Sequence, residues 1–268
     1  MKTLKYILIS LVIFSAFSCQ EEIDLNLKDE KFSRLVVDGS FTNEFQRQTV
    51  YLSKTANYSA NEPSPKVSGA IVSISDGIKI FNLSETAPGV YQTDSMTGEV
   101  GKTYNLTIDY NGKTYNAESK MNPVTKIDSI RLIYLFTNDG KGHYELRMSA
   151  QDSSLADQYY LAIPYVDGVK LNNIMFWATY SDYFINGTYL DDMSMGVIEF
   201  EGGTVFKLKW YAIDEKYFNY IEQLKANVMQ NPLFGGPPAN VIGNISNGAL
   251  GYFVATSVTE ATTSIPAH

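Results

Sequence analysis

Residues 103–119, TYNLTIDYNGKTYNAES, decide the fold of this chain. Polar side chains at positions 103, 105, 107 and 109 alternate with apolar side chains at the positions between them. This period of two is typical of a β-strand with one buried face. Asn111-Gly112 then supplies the two positive φ angles of a type I′ turn, so the segment predicts a β-hairpin.

Short apolar runs separated by turn residues continue before this hairpin. Their density is typical of an immunoglobulin-like β-sandwich, in which two sheets pack over a shared core. The sequence therefore predicts that fold for residues 34–122. The seven predicted strands are 35–39, 49–54, 70–75, 78–83, 90–93, 103–110 and 113–119.

The strand pattern is interrupted at residues 121–125. Pro123 cannot donate to a β-ladder, and it biases Asn122 towards an extended conformation, so a domain boundary is predicted after residue 122. A second β-rich domain is expected over residues 123–268. Its predicted strands are 127–136, 144–150, 159–166, 174–180, 196–201, 204–212 and 249–258.

One segment has helical spacing. Asp214 is a suitable N-cap, and apolar residues at 217, 218, 221, 224 and 228 follow it on one face. We expect an amphipathic helix over about 214–229, ended by Asn231-Pro232. The predicted fold class is thus mainly β, with a β-sandwich first and a single amphipathic helix near the C-terminus.

Composition limits the function. The chain has 268 residues, 44% of them apolar, and a net charge of −8, which argues against a nucleic-acid-binding face. One cysteine and two histidines leave no internal disulfide and no Cys-based zinc site. The sequence contains none of the common nucleotide-binding, metalloprotease, serine-hydrolase or EF-hand motifs. We expect a non-enzymatic protein with no catalytic residues, no bound metal and no cofactor.

The N-terminus reads MKTLKYILISLVIFSAFSC. Its apolar run follows Lys2 and Lys5 and is too short to span a bilayer, which predicts a signal peptide over residues 1–18. The small residues before Cys19 resemble the lipobox of bacterial lipoproteins, so Cys19 is the predicted lipidation site and residues 19–33 an acylated tether. The alternative is an ordinary secreted protein cut near Ala16 with a free thiol at Cys19.

The densest aromatic segment is residues 175–189, MFWATYSDYFINGTY. Rings beside acids and amides can bind a glycan or peptide ligand, or a protein partner. The candidate contact residues are Trp177, Tyr180, Asp182, Tyr183 and Tyr189. By strand alternation alone, half of these rings would instead pack into the β core.

Three acids in or near the aromatic segment suggest another possibility. Two of Asp182, Asp191 and Asp192 could serve as the carboxylate pair of a glycan-active hydrolase, or such a pair could bind a hard metal ion. The simpler interpretation is that frequent acids cluster by chance.

Several motifs occur in an order that is similar to one known family. They include LVVDG at 35–39, PGVY at 88–91, GKTY at 101–104, PPANV at 237–241 and GALGYF at 248–253. The chain resembles an uncharacterised family of Bacteroidota outer-membrane lipoproteins, built on a domain of unknown function and often encoded beside TonB-dependent receptors. The resemblance covers nearly the whole mature chain and implies no established catalytic residues.

The resemblance also implies a place and a partner. It implies a lipid-anchored outer-membrane protein that accompanies a TonB-dependent barrel as an accessory or ligand-capturing partner in nutrient uptake. Acidic residues after Cys19 resemble a surface-export signal, although they also suit a solvated linker. Ser95 and Ser129 lie in Asp-Ser-apolar triplets that resemble Bacteroidota O-glycosylation acceptors. An envelope structural or adhesive module is the alternative function, since immunoglobulin-like domains are common spacers.

Overall fold

The computed structural model describes residues 33–56, 63–184, 186–229 and 241–266. The predicted signal peptide, Cys19 and nearly all of the tether lie outside the described residues, as does the segment 230–240. The described strands are β1 (Leu35–Thr42), β2 (Gln46–Lys54), β3 (Ile71–Ser75), β4 (Ile80–Ala87), β5 (Val90–Met96), β6 (Thr103–Tyr110), β7 (Lys113–Lys120), β8 (Ile127–Asn138), β9 (Lys141–Gln151), β10 (Tyr159–Val166), β11 (Val169–Lys170), β12 (Ala178–Ser181), β13 (Tyr189–Phe200), β14 (Val205–Ile213) and β15 (Leu250–Ser264). The α-helix of the described residues, α1, spans Glu215–Met229.

The first seven strands form an immunoglobulin-like sandwich, as predicted. One sheet has the order β1-β2-β5-β4 and the other the order β3-β6-β7, with β3 also pairing with β4 at the edge. This is the strand order of constant-type immunoglobulin domains. Alternate side chains of both sheets fill the core, including Val37, Leu52, Ile74 and Leu106, each at most 1% exposed.

Two local features fix this sandwich. Asn111 and Gly112 have φ angles of 50° and 70°, which confirms the predicted type I′ hairpin between β6 and β7. At the start of β6, the buried Tyr104 hydroxyl accepts a 2.7 Å hydrogen bond from the backbone N–H of Glu99. That contact is a tyrosine corner, the device that fixes the turn before this strand in immunoglobulin-like folds.

The remaining strands build a second sandwich. A sheet of β13, β9 and β8 packs against β10 and β14, and the core between them is rich in aromatic residues. Tyr160 stacks on Trp210 with ring centroids 4.9 Å apart, and Tyr144 stacks on Phe200 at 4.7 Å. The prediction of a mainly β chain with two β-rich parts is confirmed.

Predicted and observed bounds differ for several strands, and two of these differences have an identifiable local cause. Residues 174–180 do not form one strand, because Ile174–Phe176 is a 3₁₀ turn whose cap, the Asn173 side chain, accepts a hydrogen bond from the backbone N–H of Met175. The strand predicted at 196–201 begins earlier, at Tyr189, and pairs with β9 across two register shifts. Polar residues and glycine within β13 obscure its strand pattern in the sequence. The segment is extended nevertheless, because ladder pairing to β9 outweighs its low strand propensity.

The last strand belongs to both sandwiches. Residues 250–256 of β15 pair with β1 in parallel, and residues 257–264 pair with β14 antiparallel. Phe253 and Ala255 lie in the core of the first sandwich although they are distant from it in sequence. A single twelve-stranded sheet therefore runs through both halves, and the predicted boundary after residue 122 falls between β7 and β8.

The predicted helix is present and covers the outer face of this sheet. Asp214 caps it, since its Oδ1 accepts a 2.7 Å hydrogen bond from the backbone N–H of Tyr217. Ile221 packs against Leu161 and Ile213, which project from β10 and β14 on the side opposite the aromatic core. Within the part of the chain that the structure describes, no helix is long and apolar enough to cross a membrane.

Candidate ligand-binding site

The shared sheet carries a cavity of about 510 Å³ on the face covered by α1. Its floor comes from strands of both sandwiches, with Asp38 and Ser40 from β1, Val254 from β15 and Tyr211 from β14. The helix and the segment between β11 and β12 form its walls. The site exists because β15 pairs with both β1 and β14 and so brings them into one sheet.

Aromatic side chains dominate the walls. Tyr217 and Tyr220 of α1 project into the cavity with ring centroids 5.9 Å apart, and both pack against Tyr252 of β15. Burial raises the pKa of the Tyr217 and Tyr211 phenols. These rings consequently stay neutral at physiological pH and offer apolar faces together with hydroxyl groups.

Trp177 forms the next part of the wall. Its indole N–H donates a 2.9 Å hydrogen bond to the carbonyl oxygen of Leu171, which fixes the ring plane. The ammonium group of Lys170 lies 4.1 Å from the centroid of this ring, in cation–π geometry. Since only part of the Trp177 surface is covered, the ring is available to a bound molecule.

Two opposite charges face the same space. Water reaches the Asp38 side chain through the open cavity. The surrounding walls nevertheless remove part of its solvation, and this raises the pKa of its carboxyl group. Burial likewise lowers the pKa of the Lys170 ammonium group. Each group partly offsets the shift of the other, so the two charges interact across the cavity.

A second lysine of the cavity is already neutralised. The Nζ of Lys209 lies 2.6 Å from a carboxylate oxygen of Glu44, and 3.9 Å from that of Glu260. It also lies 5.8 Å from the ring centroid of Tyr165. This network joins β14 to the turn after β1 and so connects the two sandwiches at one edge of the cavity.

Of the five aromatic-segment residues predicted to contact a ligand, Trp177 lines this cavity. Tyr180 lies on the other face of β12, where it packs near Trp210 and its hydroxyl donates to the carbonyl oxygen of Met195. Burial raises its pKa to about 12. Asp182 is 1% exposed, whereas Tyr183 and Tyr189 are 77% and 49% exposed and lie outside the lining.

The three acids considered for glycan chemistry have different surroundings. Asp192 is held in a bidentate pair by Arg131 and also contacts Arg147, and these cations lower the pKa of its carboxyl group. Asp191 is exposed on β13, and Asp182 is buried. Ser95 and Ser129, the predicted O-glycosylation sites, are both exposed on strands.

Sequence reasoning did not single out Asp38 or Lys170. Asp38 stands between Val37 and Gly39 in β1, and strand alternation places it on the face opposite the core. An outward-facing acid in a strand normally meets solvent, so Asp38 did not stand out as a site residue. The one signal in the sequence was the contrast between this acid and the apolar residues around it. Only the tertiary structure shows that α1, which is distant in sequence, covers this outward face.

Fold and site together define a class: a mainly β protein in which two sandwiches share one sheet and an aromatic-lined cavity lies against it. No group of three or more metal-ligating side chains occurs among the described residues. The sequence profile of a family described as a domain of unknown function, DUF4249, matches residues 20–262, and the chain belongs to this family. Comparison with curated proteins gives no match.

Proposed function

We propose that this protein is a non-enzymatic, lipid-anchored outer-membrane protein that captures a ligand for a TonB-dependent receptor. The observation that carries the proposal is the cavity beneath α1. It is concave, and six aromatic and seven aliphatic side chains line it together with nine polar or charged ones. Its volume of about 510 Å³ is in the range of small-molecule sites.

The construction of the cavity supports a binding role. Its floor is a continuous sheet and one wall is a capped helix, so most of the lining rings are held by regular structure. Trp177, in the segment between β11 and β12, is fixed by its indole hydrogen bond to Leu171. A preformed site of this kind loses little conformational entropy when a ligand enters. The small entropy loss favours high affinity, which the capture of a scarce nutrient requires.

The remaining support comes from the sequence. The lipobox-like residues before Cys19 predict an anchor, and two acyl chains bind a membrane stably. A net charge of −8 suits a body that remains soluble beside the membrane. The resemblance to lipoproteins encoded beside TonB-dependent receptors supplies the partner.

Co-purification tests the partnership. The lipidated, affinity-tagged protein is isolated from gently solubilised outer membranes, and its partners are identified by mass spectrometry. A TonB-dependent barrel in a stable ratio is the expected result, with Cys19→Ala as the control that removes the anchor. A wild-type protein that elutes without a barrel would refute the partnership.

A second experiment tests the cavity separately. Ser40→Trp would fill the cavity from its floor, whereas Ser84→Trp adds the same ring at an exposed position of β4. Native mass spectrometry of protein purified from its own outer membrane should detect a bound molecule in wild type and Ser84→Trp, and less in Ser40→Trp. Barrel co-purification should be unchanged in both variants, because the cavity holds the ligand and not the barrel.

A further inference from the structure

Asp38 and Lys170 are opposite charges that share one aromatic cavity without forming an ion pair. In the described part of the chain, no side chain or backbone group donates a hydrogen bond to the Asp38 carboxylate, and no carboxylate lies within 4.0 Å of the Lys170 Nζ. Lys170 contacts the Trp177 ring instead. Both charges therefore keep hydrogen-bonding capacity that is directed into the cavity.

Such groups cost stability. A charge in a partly desolvated site is unfavourable unless an opposite charge or hydrogen bonds compensate for the lost water. Lys209, on the same cavity, is compensated by Glu44 at 2.6 Å. Asp38 and Lys170 lack this compensation, although each is close enough to change the pKa of the other.

A ligand that carries both complementary charges would supply what is missing. An ammonium group would pair with Asp38, and a carboxylate would pair with Lys170, each through charge-assisted hydrogen bonds. The rings of Trp177, Tyr217 and Tyr220 would take up the apolar or aromatic body between the two ends. A neutral sugar could offer hydroxyl hydrogen bonds to both groups but no opposite charge, so it would compensate them less well.

We infer that the cavity binds a zwitterion with an apolar body, namely a short peptide with free termini. The N-terminal ammonium lies at Asp38, the C-terminal carboxylate lies at Lys170, and the side chains pack on the aromatic walls. The volume of about 510 Å³ accommodates a peptide of a few residues. This inference rests on the proposed function in one respect, that the cavity is the ligand site.

The probe is a library of tripeptides rich in aromatic and aliphatic residues, with free termini. Matched libraries carry an acetylated N-terminus, an amidated C-terminus, or both. Binding to the full mature protein is followed by calorimetry and by tryptophan fluorescence. The chain has two tryptophans, and Trp210 is 3% exposed in the core, so the fluorescence change reports on Trp177.

Free peptides are expected to bind best. Blocking either terminus removes one charge-assisted hydrogen-bonded pair and should weaken binding roughly tenfold to a hundredfold. Asp38→Asn should lose the preference for a free N-terminus while it keeps the preference for a free C-terminus. Lys170→Met should show the reverse.

Matched controls come from exposed positions away from the cavity. Asp191→Asn and Lys113→Met remove the same charges from β13 and β7 and should retain both preferences. Circular dichroism spectra and melting temperatures confirm that each variant is folded.

Three results would overturn the inference. They are equal binding of free and doubly blocked peptides, binding of a neutral oligosaccharide panel in place of peptides, and no binding of any peptide. The receptor partnership would survive each of them, since co-purification measures it independently. Conversely, peptide binding without a co-purified barrel would retain the ligand class and refute the receptor partnership.

Discussion

The Tyr252 hydroxyl donates a 3.1 Å hydrogen bond to Oδ1 of Asp214, the oxygen that also caps α1. Through this contact the helix that walls the cavity is attached to β15, the strand shared by the two sandwiches. The Ser119 hydroxyl of β7 donates a longer bond, of 3.4 Å, to the other carboxylate oxygen of Asp214. One side chain thus holds the first sandwich, the second sandwich and the helix in register around the site.

Replacing Asp214 with alanine should loosen this wall. Loss of the N-cap and of the Tyr252 hydroxyl's acceptor is expected to lower the free energy of unfolding by about 2 kcal/mol, as measured by urea denaturation. Ligand binding should weaken as well, because Tyr217 and Tyr220 would no longer be fixed. Asp214→Asn, which can still cap the helix, should retain most of both properties. Equal losses in the two variants would contradict this role.

Gly251 determines how closely the two sandwiches join. Its φ is +93°, and a Cβ atom there would lie 1.8 Å from the carbonyl oxygen of Val37 in β1. Gly251→Ala should therefore disrupt the parallel pairing of β1 and β15 and cost more than about 3 kcal/mol of stability.

Gly248→Ala provides the matched control for this close approach. Gly248 also has a positive φ, of +75°, but an added Cβ would meet no atom within 4 Å. Its cost should be limited to backbone strain, about 1 kcal/mol. Similar melting temperatures for the two variants would show that the close contact with Val37 is not what excludes a side chain at residue 251.

Tyr104→Phe tests the tyrosine corner. The change leaves the buried ring in place but removes the acceptor for the Glu99 N–H, and it should cost about 1–2 kcal/mol of unfolding free energy. Tyr115→Phe is the control, since that ring lies in the same core with no hydrogen bond of its hydroxyl among the described contacts. A cost for Tyr115→Phe as large as that for Tyr104→Phe would assign the effect to packing.

Asp38→Asn should stabilise the protein at pH 7. Enclosure in the cavity raises the Asp38 pKa above its ordinary value of 3.8, so the folded protein holds this proton at pH values where the unfolded chain has released it. The carboxylate therefore destabilises the fold increasingly as pH rises above about 4, and the effect vanishes below that range.

The measurement is the melting temperature of both proteins across this pH range. The gain from Asp38→Asn should be present at pH 7 and absent near pH 3, while Asp191→Asn serves as the exposed control. A lower melting temperature for Asp38→Asn at pH 7 would mean that the Asp38 charge stabilises the fold, against the cost we infer.

Most strands could be predicted because their patterns are local. The run around Asn111-Gly112 and the alternation in β1, β2 and β7 report directly which face is buried. The helix was equally clear, since Asp214 and the apolar face after it are signals within one segment. Prediction failed at residues 174–180, where a side-chain cap at Asn173 ended the extended conformation.

The candidate site was only partly visible. Trp177 belongs to the aromatic segment and does line the cavity, but strand alternation turns Tyr180 into the core. Asp38 and Lys170 are 132 residues apart in the sequence and carry no shared motif. Their relationship depends on strand pairing over long range, which single-sequence patterns do not encode.

The sequence by itself determined most of the strands, the hairpin, the capped helix and the immunoglobulin-like start of the chain, because hydrophobic period and turn chemistry act between near neighbours. Tertiary structure alone decided that β15 joins β1 to β14. Both faces of that strand are buried over residues 251–257, and its pairing partners lie far away in sequence. That one pairing creates the shared sheet. The cavity, with Asp38 and Lys170 facing it, is its consequence.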